Sequence, residues 1–124
     1  MTLIDSSGWI EFFIDGSLAG AYARHLKHLQ DIVTPSIVLY EVYKTVKRER
    51  GEEAALAAAA QMGKTQVVPL TDALALTAAD VSLAHRLAMA DAIVYATALA
   101  EGAHLITSDA DLASLPGVTY LKKS

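Results

Sequence analysis

Four acids, Asp5, Glu41, Asp91 and Asp109, each stand beside an apolar run in this 124-residue chain. Asp5 follows Leu3-Ile4, and Asp109 follows Leu105-Ile106-Thr107 after one intervening serine, so both fall at the carboxyl ends of short strand candidates. Asp91 opens the stretch Ala92–Ala100, which is small or apolar on every face and reads as a helix packed on nearly all sides. Glu41 lies in the first turns of a helix that starts at Pro35-Ser36. In an open α/β sheet the carboxyl edge of the strands is where ligands bind, and all four acids can reach one such edge. Carboxylates gathered there repel and raise one another's pKa unless a cation compensates. Mg²⁺ and Mn²⁺ favour that all-oxygen environment. One or two such ions can activate water, orient a phosphate and stabilise a leaving oxygen, which is the chemistry of phosphodiester hydrolysis.

Singly, each acid has a plainer role. Asp5 and Asp109 could form Asx turns, Asp91 could cap its helix, and Glu41 could pair with Lys44. Those roles leave their shared edge unexplained. Asp111 divides evenly between supporting the site and capping the turn at Leu112–Leu115, while Ser6 reads first as a helix cap. Glu11 and Asp15 read as solvated, and Lys122 and Lys123 as a solubilising tail. Lys44 and Arg48 share roughly the face of Glu41, and Arg86 is near Asp91 in sequence. These three are candidate phosphate contacts, against the alternative of solvated helix-end cations. No Cys/His spacing suggests zinc, no Gly-rich loop suggests phosphate cradling, and no Ser/His/Asp set has a nucleophile elbow.

The elements that must carry these residues alternate. Strand candidates are Leu3-Ile4, Asp31–Thr34, Gln66–Leu70, Leu105–Thr107 and Val118–Leu121. Between them the periodicity predicts helices from near Gly8, over about Leu18–Leu29, from Pro35-Ser36 to about Arg50, over Glu52–Met62, from Thr71-Asp72 to about Ala84, and from Asp91 to the left-handed stop at Gly102. Such alternation with right-handed crossovers implies one α/β domain, a mostly parallel sheet with helices on both faces.

Composition sets the outer limits. With 53% apolar residues and a mean hydropathy of +0.33, the chain can bury a sizeable core. Its longest apolar runs, Ala54–Ala60 and Ala92–Ala100, fall short of the roughly 18 residues of a membrane span. No cysteine and no signal-like opening make a cytoplasmic location the expectation. A net charge of −4 argues against non-specific coating of nucleic acid, but acids gathered at a metal leave room for a nuclease.

Four segments together resemble a known family. Leu3-Ile4-Asp5-Ser6-Ser7-Gly8-Trp9-Ile10, Pro35 to Val42 around Glu41, Ala90-Asp91-Ala92-Ile93-Val94-Tyr95-Ala96-Thr97-Ala98, and Leu105-Ile106-Thr107-Ser108-Asp109-Ala110-Asp111-Leu112 look like a PIN domain. Their order and the chain's size are most similar to VapC-type toxin ribonucleases of prokaryotic toxin–antitoxin pairs. The resemblance covers the whole chain; Leu112 stands where the family often has an aromatic residue. It implies strand order 3-2-1-4-5, a Mg²⁺- or Mn²⁺-dependent endoribonuclease, a homodimer, and an antitoxin whose C-terminal segment covers the site. On that match Asp5, Glu41, Asp91 and Asp109 carry the metal, Ser6 and Thr107 lend hydroxyl support, and Asp111 is an auxiliary acid. A receiver-like signalling domain is the rival enzyme-like reading, but Asp5 is followed by two serines rather than a second acid. A non-catalytic PIN-like binding module is the other, and retention of four acids weighs against it.

Overall fold

A computed structural model describes residues 1–123. Its five strands are β1 (Thr2–Ile4), β2 (Ile32–Pro35), β3 (Gln66–Val68), β4 (His104–Thr107) and β5 (Val118–Tyr120). They form one sheet in the order β3-β2-β1-β4-β5, and every pairing is parallel. The first strand in sequence is therefore the central one. Leu3 lies opposite Val33 on one side and Leu105 on the other. Leu3 and Ile4 point to opposite faces, and both are fully buried, so the sheet is covered on both sides. This is the layered α/β arrangement that alternation implies.

Six helices provide that cover: α1 (Ser6–Phe13), α2 (Ala19–Ala23), α3 (Ser36–Arg50), α4 (Glu52–Met62), α5 (Asp72–His85) and α6 (Met89–Glu101). In α3, Val38, Val42 and Val46 repeat every four residues and are all buried. Gly51, at φ 92°, lets α3 turn directly into α4. Ala92 to Ala98 of α6 are buried without exception, but the packed reading of Ala92–Ala100 fails at its end, where Leu99 is 56% exposed and Ala100 is exposed. Among the described residues no helix is long and apolar enough to cross a membrane.

Three local expectations change. The helix anticipated over Leu18–Leu29 survives only as α2, followed by 3-10 turns at Arg24–Leu26 and Leu29–Asp31. Only Tyr22 and Leu26 of this segment are buried, and a short helix without a continuous apolar face has little to hold it. Helix α1 begins two residues before Gly8, and its cap is the Asp5 side chain, which accepts from the Ser6 amide, rather than a serine hydroxyl. Finally, α6 starts at Met89 with Ala88 at its cap, so Asp91 stands in the first turn and does not open the helix. A simple capping role for Asp91 is thereby removed, although its carboxylate still gains from the helix dipole.

Candidate metal centre

Asp5 ends β1 at the centre of the sheet and is only 4% exposed. Its Oδ1 accepts from the Ser6 amide at 2.8 Å, and Oδ2 accepts from the Thr107 hydroxyl at 2.7 Å and, more weakly, from the Ser7 hydroxyl at 3.4 Å. Burial pushes the Asp5 carboxyl above its usual range, and the nearby Asp109 adds to this while the three donors offset it. The fully buried Thr107 also accepts from the Asp109 amide at 2.9 Å. One hydroxyl thus fixes both Asp5 and the turn that follows β4. Asp109 accepts from the Asp111 amide at 2.9 Å, capping the 3-10 turn Ala110–Leu112.

The other acids close in from two helices. Carboxylate oxygens of Asp91, Asp109 and Asp111 all lie within 4.8 Å of one another. Burial, then the hydrogen bond and charge of Asp109, then Asp5 and Asp111, raise the Asp91 carboxyl to about 7. Glu41, half-buried on α3, is also raised, first by burial and next by the charge of Asp5; the Ser6 hydroxyl and Lys44 pull it back. No salt bridge among the described residues involves Asp5, Glu41, Asp91, Asp109 or Asp111. Acids this close, uncompensated and rich in oxygen donors, suit a hard divalent cation.

A model of the PIN domain family matches residues 2–118. The chain belongs to the PIN domain family. No curated protein matches it by sequence. Among solved structures, the PIN domain superposes on a toxin–antitoxin complex from Klebsiella pneumoniae with a TM-score of 0.80, at 24% identity and with 96% of each chain covered. Mycobacterium tuberculosis VapC20, described as a sarcin–ricin loop cleaving toxin, gives a TM-score of 0.75 at 22% identity, covering 91% of this chain and 92% of that one. VapBC2 from Rickettsia felis, bound to a promoter DNA fragment, gives 0.75 at 15% identity, with 98% and 97% covered. The fold is therefore shared with VapC-type toxins.

Not every singled-out residue of the PIN domain reaches the acids. Lys44 lies near enough to Glu41 to favour its ionised form, and its Nζ also sits 5.6 Å from the Tyr40 ring centre. Arg48 pairs with Glu49 at 3.3 Å on the exposed side of α3, and Arg86 is the exposed left-handed cap of α5, at φ 55°. Ser6 does not cap α1 with its hydroxyl, which instead lowers the Glu41 pKa. Glu11, expected in solvent, is 4% exposed and pairs with Lys123 at 3.0 Å, so Lys123 is more than a solubilising tail. Sequence reasoning reads Ser7 only as a possible helix cap and Tyr22 only as a core or interface residue, and gives Ser108 no role. Ser7 accepts from the Ser108 amide at 3.0 Å, and Ser108 shares a 2.6 Å hydrogen bond with the Tyr22 hydroxyl. The only local signal for the serines is that they interrupt the two acid-bearing strand ends.

Proposed function

We propose that this PIN domain is a Mg²⁺- or Mn²⁺-dependent endoribonuclease acting in the cytoplasm as the toxin of a toxin–antitoxin pair. The observation that carries this reading is the convergence of Asp5, Glu41, Asp91 and Asp109 at the carboxyl edge of the sheet, with three of their carboxyls raised by burial and mutual repulsion. A bound divalent ion would supply an activated water and neutralise charge on the phosphate. Asp5, Glu41, Asp91 and Asp109 would hold it. Asp91, whose carboxyl is raised to about 7, would hold the ion as its carboxylate. Thr107 and Ser6 orient Asp5 and Glu41, and Asp111 adds negative charge at the rim. Lys44 is placed to hold a substrate phosphate beside Glu41, while Arg48 and Arg86 would serve phosphates farther along the RNA.

Family membership supports nuclease chemistry, and likeness to chains from toxin–antitoxin complexes supports a protein inhibitor. An antitoxin segment that covers this acidic edge must bring positive charge. We expect an Arg or Lys from a VapB-like partner to bridge the carboxylates, since guanidinium pairs with them bidentately. Neutralising that side chain should release cleavage. A homodimer is the expected assembly.

The deciding experiment incubates the purified protein with structured RNAs in Mn²⁺ or in chelator and maps the cut ends. Discrete cuts are expected only with metal, and only from the parent rather than Asp91→Asn. Parental cleavage by that mutant would remove Asp91 from the site, and the four-acid reading with it.

A further inference from the structure

Tyr22 is fully buried beneath α1, yet it ends in a hydroxyl where phenylalanine would fill the same apolar space. A buried hydroxyl is costly unless it is bonded, and this one meets the Ser108 hydroxyl at 2.6 Å. Ser108 is the residue between Thr107 and Asp109, and its amide donates to Ser7 at 3.0 Å. Ser7 in turn donates to Asp5 at 3.4 Å and lies 3.5 Å from the Thr107 hydroxyl. Space for the ring depends on Gly8, where a Cβ would overlap both the Tyr22 ring and Ile4. From these contacts we infer that Tyr22 is a positioning residue: through Ser108 and Ser7 it fixes the turn that presents Asp109 to Asp5 and Asp91. The metal-binding consequence rests on the reading of the four acids as a metal site; the holding of the turn does not.

The two parts are separated by measuring two quantities on the full chain. Tyr22→Phe keeps the ring in its cradle and removes only the hydroxyl. In metal-free protein, amide exchange at Ser108 and Asp109 should quicken by about fivefold to tenfold, as expected for loss of one hydrogen bond. Exchange in the core strands, at Leu3 and Val33, should not change, which separates positioning from general loosening. Mn²⁺ affinity by calorimetry should fall about tenfold, the lower end of what losing a bond behind a metal ligand costs. Ser108→Ala should reproduce both effects, and adding Tyr22→Phe to it should change little more, because one interaction is removed twice. Tyr95→Phe, whose hydroxyl binds the Pro116 carbonyl at 2.8 Å, is the control and should leave Mn²⁺ affinity at the parental value. Parental exchange at Ser108 and Asp109 in Tyr22→Phe, or full additivity of the two substitutions, overturns the inference. Faster exchange in a protein whose parent takes up no Mn²⁺ upholds the holding of the turn and instead refutes the metal reading.

Discussion

Asp91 is the residue on which pH acts most directly. Burial and Asp109 raise its carboxyl to about 7, against an ordinary value of 3.8 that the unfolded chain approaches. The native state therefore holds this proton more tightly, so the residue's contribution to stability is complete below the ordinary value and is lost as pH rises through about 7. Asp5 and Glu41, also raised, act in the same direction. The metal-free protein should accordingly melt several degrees higher at about pH 5 than at about pH 8. Partial exposure of Asp91 reduces the size of the effect without changing its sign. Asp91→Asn should flatten the profile, and added Mn²⁺ should stabilise the parent more than the mutant. A mutant that keeps the parental slope would show that Asp91 does not face the other acids. Thr107 allows a separate test: Thr107→Val leaves one Asp5 oxygen without its shortest donor and the Asp109 amide without its acceptor. Urea unfolding should report a loss of about 2 kcal/mol, with Thr107→Ser restoring most of it.

At the scale of elements, α1 is positioned by contact as much as by its cap. Its Gly8 faces Tyr22, so Gly8→Ala must displace either the ring or the helix. A destabilisation of roughly 1–3 kcal/mol is expected in urea, together with weaker RNA cleavage, since the ring's hydroxyl holds Ser108. Unchanged stability would mean that the Tyr22 ring yields freely. Where the sequence punctuates itself, the elements are legible: Pro35, Gly51 and Gly63 bracket α3 and α4, and the Leu-Ile pairs mark β1 and β4. Periodicity fails over Leu18–Leu29 because Tyr22 and Leu26 satisfy a helical spacing that the chain follows only in broken turns. Glu11 is missed for a different reason. Its carboxylate pairs with Lys123, and a charge is solvated by default unless a partner remote in sequence is known.

For the whole molecule, a shared edge for Asp5, Glu41, Asp91 and Asp109 is expected from the sequence because Asp5 and Asp109 follow strand ends, Glu41 and Asp91 lie in the first two turns of helices, and parallel strands put those ends on one edge. The hydroxyls behind them are not, since serine and threonine at strand ends are common without any such role. Exposed apolar side chains gather away from α1. Trp9 is fully buried, whereas Leu83 is 82% and Met89 74% exposed, on and just beyond α5, and Tyr40 on α3 is 61% exposed. Light scattering at micromolar concentration should therefore report a stable dimer; a persistent monomer would leave these side chains in water and count against assembly. The central place of β1 also bears on biosynthesis. Thr107, which fixes Asp5, follows it 102 residues later in the chain. A nascent chain carries Asp5 and Glu41 before it has any means of holding them against Asp109. Translation that stops before β4 leaves a fragment in which Asp5 lacks its Thr107 donor and has no Asp109 beside it.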